Sequence, residues 1–499
     1  MSYAITYSRA YVGIEAPLVS VETHLSSGLP ALTIVGLPET AVKESKDRVR
    51  SAIINAGFEF PAKRITINLA PADLPKEGAR FDLAIAIGLL AASGQLPVDE
   101  VKAYEFVAEL ALSSELRCCP AILSAAVACQ ASQRTIVVAP ANAAEAMMPN
   151  PSSVICPSHL NQLSQWLHDP EKQSQPPCSA TGIAPYPCAE LADVRGQEQA
   201  KRALVIAAAG NHNLLMCGSP GTGKTMLAQR LHALLAPLTE KQALELGAIN
   251  SSLGLFNPDT WRQAPWRAPH HSASAVSLVG GGRVPRAGEI SQAHHGVLFL
   301  DELAEFNRSV LDLLRQPLES GHISLSRAKG TYCYPARFQL VAAMNPCPCG
   351  FAGIQSERCR CKPDVVGRYQ SRISGPLLDR IDLHVSLDRQ PAAMLLHGAR
   401  AGSDTQDLRE NIDKARHFQY ARQQCLNAAL NNANLLQVCP MEPTVRHWFE
   451  EACDHLHLSG RGIHKTLRVA RSVADLAQES TLSEVTLLED IGYRSKLLS

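Results

Sequence analysis

Short runs of alternating or continuous apolar positions mark strands in the first third of the chain. LTIVGL (residues 32–37), RITINLAP (64–71) and RTIVVAP (134–140) carry branched side chains in that pattern. Residues 81–93, 124–131 and 141–146 are Ala-rich with helical spacing, so residues 1–167 read as one α+β unit. Periodicity then stops. Residues 168–188 are rich in Pro, Ser and Gln and read as a linker. From residue 189 strands and helices alternate: a helix over 197–209, the strand NLLMCG (213–218), a Gly-rich loop with a helix from Lys224, and the strands GVLFLDE (296–302) and FQLVAAMN (338–345). That order predicts a parallel sheet covered on both faces, over residues 189–395. Residues 396–499 are helical in pattern, with segments at 404–433, 444–455, 461–479 and 483–493. The expected class is a multidomain α/β protein.

Composition narrows the partners. Of 499 residues, 46% are hydrophobic and 19% charged, enough apolar surface for several cores. Basic and acidic residues balance at 47 each, which excludes a globally basic coat. Residues 1–170 hold 12 basic and 16 acidic side chains, leaving 35 and 31 beyond, so a polyanion is expected to meet the later two thirds. No apolar run reaches the ~18 residues that span a bilayer, and the opening MSYAITYSRAYVGIEAP has no signal-peptide pattern. With fifteen cysteines read as mostly reduced thiols, the expectation is a cytoplasmic protein with no membrane partner.

The chemistry begins at Gly218-Ser219-Pro220-Gly221-Thr222-Gly223-Lys224-Thr225, which matches G-x-x-x-x-G-K-[ST] between a strand and a helix. Glycines there let backbone N–H groups turn toward phosphate oxygens, beside the positive end of the helix. Lys224 is expected on the β- and γ-phosphates of ATP and Thr225 on Mg²⁺. Asp301 ends a buried strand, where ligands of open α/β sheets bind, and is expected to orient the Mg²⁺ shell. Glu302 follows as the candidate general base. Asn345 ends the third strand, placed for the γ-phosphate or the water. Arg380, between acids in LLDRID, suits an arginine finger or a salt-bridged surface arginine. Arg461, opening a tail helix, suits a nucleotide sensor or a solvated first-turn cation.

Four cysteines stand apart. Cys347 and Cys349, with Cys359 and Cys361, flank a nine-residue loop. Thiolates at that density suit a structural Zn²⁺, with an iron–sulfur centre or unmetallated thiols as alternatives. The adjacent pairs His270/His271 and His294/His295 are poorly arranged to chelate one metal and read as loop or strand-edge residues.

Together GSPGTGKT, GVLFLDE, AAMNPCPCG, RISGPLLDRID and DVRGQEQAKRAL resemble the magnesium-chelatase-like AAA+ ATPases of the ComM/YifB group, and LPKEGARFDLAIAIGLLAA extends the resemblance to the opening third. The resemblance implies a Lon-protease-like N-terminal domain, a AAA+ P-loop core and a helical magnesium-chelatase-type C-terminal lid. It also implies homo-hexamers acting on single-stranded and branched DNA, extending heteroduplex in natural transformation and recombination; a recombinase is a candidate partner. In that group Arg380 matches the arginine finger and Arg461 the second sensor, which serves the adjacent subunit's ATP.

Arg80 stands where a Lon-type nucleophilic serine would be, and a guanidinium cannot attack a carbonyl, so the front domain is expected to be non-proteolytic. Lys63, Arg64, Lys76 and Arg80 are then candidate DNA contacts or ordinary solvated charges. Residues 262–286, with Arg267, Arg283 and Arg286, match the group's pore-facing insert. HISLSRAKGTYCYPARF reads as a β-hairpin with Arg327 before its turn and Lys329 at it. Such cations bind phosphate by releasing counterions, without sequence preference. Two other classes fit a AAA+ motor: a chelatase-like ATPase remodelling a metal-inserting partner, and a chaperone-type ATPase using the front domain as an adaptor.

Overall fold

The computed structural model describes residues 2–37, 39–169, 190–282, 285–327, 330–353, 358–393 and 405–494. The front unit is a seven-stranded mixed sheet in the order Ala31–Val35, Arg64–Ala70, Leu18–Ser26, Tyr3–Arg9, Tyr104–Val107, Thr135–Val138, Val154–Ile155. In Arg64–Ala70 alternate residues Ile65, Ile67 and Leu69 are buried, as the period of a strand requires. Helix Asp82–Ala92 is buried at every position, which explains its continuous apolar sequence.

Pattern reading passes over Tyr3–Arg9 and Leu18–Ser26 because their polar residues are also buried. Arg9 donates to both carboxylate oxygens of Glu105, at 2.6 and 2.8 Å, so a charge sits at an inward position. The helix expected over 141–146 is a 3₁₀ turn, Pro140–Asn142, followed by Ala143–Ala146, because buried Asn142 exchanges hydrogen bonds with the backbone of Cys119.

The central sheet is five-stranded and parallel, ordered Trp266–Arg267, Val297–Leu300, Gln339–Met344, Leu214–Gly218, Leu383–Leu387. Parallel pairing collects the carboxyl ends of all these strands at one edge, so Gly218, Asp301 and Asn345 leave the sheet together. Arg380 lies at the other edge. It precedes Leu383, which pairs with Leu214, while Leu387 pairs with Gly218. At about 3.3 Å per residue the sheet alone separates Arg380 from its own phosphate loop by ~13 Å.

Two inserts leave this core. The hairpin pairs His322–Arg327 with Gly330–Pro335, from His322 opposite Pro335 to Arg327 opposite Gly330; Lys329 lies outside the described residues. The 262–286 segment contains a helix, Ala275–Val279, and a short ladder between Gly280–Gly281 and Arg286–Ala287. The hairpin's base is braced by the front unit. Val12 and Ile14 pack on the cluster holding Ile323, Leu325 and Tyr334, and the Tyr334 hydroxyl donates to Pro285 O at 2.8 Å.

In the tail, the single helix expected over 404–433 is broken. Thr405–Gln423 ends where Gln424 turns left-handed (φ 59°), and a new helix, Asn432–Val438, starts under an Asn431 cap. Between them, buried Asn427 donates to Asp475 at 2.8 Å and to Ser472 at 2.9 Å, contacts a continuous helix would forbid. Pro443–His455, Gly460–Leu476 and Glu484–Gly492 complete the tail. Ile412, Val469 and Val473 share one core with Leu204, Leu383 and Val385. Lys465 ties helix Gly460–Leu476 to Asp382 at 3.3 Å. Burial alone would raise the Asp382 carboxyl, but Lys465, His212 and the Asn213 N–H hold it well below the usual range. Among the described residues no helix is long and apolar enough to cross a membrane.

Candidate active site

The phosphate loop is shaped by its glycines. Gly221 and Gly223 have φ of +78° and +89°, a region that favours residues without a Cβ. A Cβ on Gly218 would lie 2.8 Å from Leu387 O, so the loop can leave the sheet only as glycine. Lys224 turns its ammonium onto the carbonyls of Gly218 (2.7 Å) and Ser219 (3.0 Å) and onto Asn345 Oδ1 (3.1 Å). Burial depresses its pKa against the pull of Asp301. Thr225 donates to Asp301 Oδ2 at 2.7 Å. Among the described residues, buried Ser219 Oγ has no hydrogen-bond partner.

These groups suit a bound triphosphate. An anion in the loop would take Lys224 from its own carbonyls and satisfy Ser219, while the Thr225 hydroxyl and Asp301 carboxylate form an oxygen pair of the kind Mg²⁺ prefers.

Glu302 is left-handed (φ 53°) and donates its N–H to Asp301 Oδ1 at 2.9 Å. Its carboxylate meets His271 Nδ1 at 3.1 Å. Both line a cleft of about 330 Å³ with Thr225, Trp266 and Asp301. His271 thus belongs to the site, which its sequence context did not reveal. The signal is faint: it lies just past the strand that neighbours the one ending at Asp301.

Arg380 and Arg461 are brought together, away from this cleft. Both donate to Glu319 Oε1, Arg461 at 3.2 Å. Arg380 also donates to Pro376 O. Glu319 was not a candidate from sequence, because its partners lie 61 and 142 residues away.

The four cysteines converge. Their sulfurs all lie within 4.8 Å of one another, with Cys347–Cys349 at 3.3 Å, Cys349–Cys359 at 3.6 Å and Cys347–Cys359 at 3.9 Å. A zinc–sulfur tetrahedron with ~2.3 Å bonds has edges of about 3.8 Å, so the donor set fits Zn²⁺. Backbone N–H groups of Phe351 and Arg360 pull the Cys349 thiol down to about 6. The cysteine loop also abuts the phosphate loop: a Cβ on Gly350 would fall 2.4 Å from Pro220 Cδ.

His294 and His295 both aim Nε2 at Glu245 Oε2, at 3.2 and 2.8 Å. His294 Nδ1 accepts the Arg337 N–H at 3.0 Å, which puts the ring proton on Nε2 and makes that nitrogen a donor rather than a metal ligand.

Several basic candidates sit differently from expectation. Arg267 is in the edge strand of the sheet, held by both oxygens of Glu289 at 2.6 and 2.7 Å, so it is an anchor and not a free cation on the insert. Lys76 and Arg80 are buried, not solvated contacts. Lys76 donates to Pro71 O, and the Arg80 guanidinium lies 5.2 Å from the centre of the Tyr11 ring. Lys63, Arg64, Arg286 and Arg327 are exposed. The Arg327 guanidinium reaches within 3.2 Å of where a Cβ on Gly281 would stand, so the two inserts touch. Arg283 lies outside the described residues.

Three family profiles match the chain: Magnesium chelatase, subunit ChlI, over residues 190–395; Subunit ChlI of Mg-chelatase over 21–142; and Magnesium chelatase, subunit ChlI C-terminal, over 402–494. The chain is 48% identical to the Uncharacterized protein YifB of Salmonella typhimurium, covering 99% of this chain and 97% of that protein. It is 48% identical to the Competence protein ComM of Haemophilus influenzae, covering 99% and 98%. The Uncharacterized protein Rv2897c of Mycobacterium tuberculosis is 41% identical, covering 96% and 95%. The chain belongs to the ComM/YifB family of magnesium-chelatase-like AAA+ ATPases.

Proposed function

We propose that this protein is a cytoplasmic, ATP-driven motor that works as a hexameric ring, translocates on single-stranded and branched DNA, and extends heteroduplex during natural transformation and recombination. The observation that carries the ring is the separation of Arg380 from Lys224 across the sheet. An arginine at that edge reaches nucleotide only on a neighbouring subunit. The likeness to a protein named for competence supports the process, and the exposed Arg286 and Arg327 on touching inserts support a polyanion as the track.

In this reading the loop from Gly218 to Thr225 binds the phosphates of ATP through Lys224 and backbone N–H groups. Thr225 and Asp301 would hold Mg²⁺, which would supply positive charge to the phosphate oxygens. Glu302 accepts the proton of the attacking water and Asn345 orients it. Arg380 and Arg461 of the adjacent subunit stabilise the charge that develops on the leaving phosphates. The four cysteines would hold a structural zinc, which would tie the Asn345 strand end to the phosphate loop. Lys329, Arg327, Arg283 and Arg286 contact the DNA backbone, which confers structure preference rather than sequence readout.

The test is ATP-dependent movement of a three- or four-strand DNA junction by purified protein, with Lys224→Ala beside it. Movement by the wild type alone is expected. No movement, with ATP turnover indifferent to any DNA, overturns the DNA assignment in favour of a protein-remodelling ATPase.

A further inference from the structure

Glu319 has two cationic partners and a telling place in the chain. It is the fifth residue of helix Arg315–Ser320, and after Gly321 (φ +70°) the chain enters the hairpin strand His322–Arg327. Any tilt of the hairpin is therefore transmitted to Glu319 through two residues of backbone, one of them tied on both sides by the Ser320 hydroxyl, which donates to Gln316 O and to His322 O. Its carboxylate oxygen Oε1 takes hydrogen bonds from Arg380 and Arg461 at once. The Arg380 side chain is only 11% exposed and among the described residues its Nε has no partner, so the Glu319 carboxylate neutralises that guanidinium and, with Pro376 O, orients it. Glu319 itself is half exposed, in a cleft of about 1580 Å³ that opens between the core and the tail helices.

We propose that Glu319 is a placeholder for the neighbouring subunit's terminal phosphate and the positioning residue that couples the hairpin to Arg380 and Arg461. One carboxylate oxygen shared by two guanidinium groups is the arrangement a phosphate would offer with more oxygens and more charge, so a docked ATP can displace it. While Glu319 holds both arginines they are withheld from the neighbour's nucleotide. DNA that shifts the hairpin draws Glu319 away and frees them. The coupling to DNA rests on the DNA motor proposed above, and the withholding of the arginines rests on the nucleotide site between subunits proposed with it.

The experiment compares Glu319→Gln, which keeps size and loses charge, with wild type and with Glu319→Gln/Arg380→Ala. The kcat and KM for ATP are measured with and without branched DNA, on protein assembled at the same concentration. Expected for Glu319→Gln is a rise of about three- to tenfold in DNA-free kcat, with KM within twofold and DNA stimulation reduced toward one. The added Arg380→Ala is expected to erase that gain. A DNA-free kcat equal to or below wild type overturns the placeholder, as does a gain that survives Arg380→Ala. A wild type that no DNA stimulates refutes the DNA motor instead, and leaves the DNA-free comparison to decide the role of Glu319.

Discussion

Thr225 and Asp301, 76 residues apart, are joined by a 2.7 Å hydrogen bond at the carboxyl edge of the parallel sheet. The hydroxyl in the first turn of the helix after the phosphate loop and the carboxylate just past a buried strand thus face one another directly. That preorganisation lets a cation enter oxygens already in position. Asp301→Asn keeps the hydrogen bond and removes the charge. Its kcat is expected to fall roughly hundredfold or more, with folding unaffected. Steady-state ATPase with a thermal melt checks this; wild-type turnover would remove Asp301 from the metal shell.

Arg380 lies at the far edge from Lys224, so its loss is expected to act between subunits. Arg380→Ala should lose turnover by roughly 10³-fold yet bind a fluorescent ATP analogue as the wild type does. Mixing it with Lys224→Ala should restore part of the activity, since some interfaces then pair an intact finger with an intact loop. Two dead proteins that stay dead at every mixing ratio would contradict the shared site.

The contact of Gly350 with Pro220 links the cysteine loop to the nucleotide. Cys359→Ser is expected to lower bound zinc from one per chain to well below one and to destabilise the protein by roughly 2–4 kcal/mol. It should also weaken ATP binding, because the phosphate loop loses its support. Metal analysis, urea unfolding and nucleotide titration read the three effects; full zinc occupancy in the variant would refute the ligand set.

His295 contributes to the pH dependence of stability. Burial and the neighbouring His294 push its pKa down to about 4, against the hydrogen bond to Glu245. An unfolded histidine titrates near 6.5. Between those values the unfolded chain binds a proton that the folded chain refuses, so stability is full above pH ~6.5 and falls as pH drops toward 4, by up to about 3 kcal/mol. His384, also buried and pushed to about 4, adds to the same slope. Replacement of His295 by Asn, which tolerates its left-handed backbone (φ 60°), should flatten the decline. Urea midpoints at pH 7, 6 and 5 measure it, and an unchanged slope would exclude His295 as a source.

Much of the site was legible because its signals are local. Phosphate loop, strand-terminal acids and paired C-x-C segments are short patterns whose residue types state their chemistry. The parallel sheet was legible for the same reason: each strand is a continuous apolar run. Where reading failed, polar residues were doing buried work. Arg9 paired with Glu105, Lys76 and Arg80 inside the front unit, and Asn427 breaking a tail helix all look like surface residues until their partners are known. Arg267 had the composition of a DNA contact, but Glu289, 22 residues on, claims it.

By itself the sequence determined which residues bear chemistry, and on what kind of element, since propensity and motif depend on near neighbours. Only the tertiary structure decided their company. That Lys224 and Arg380 stand at opposite edges of one sheet, that Glu319 gathers Arg380 and Arg461, that His271 meets Glu302 and that Gly350 rests on Pro220 all follow from parallel pairing and close packing. Those contacts join residues 31 to 142 positions apart. No local pattern records them, because their energy depends on where the rest of the chain has folded.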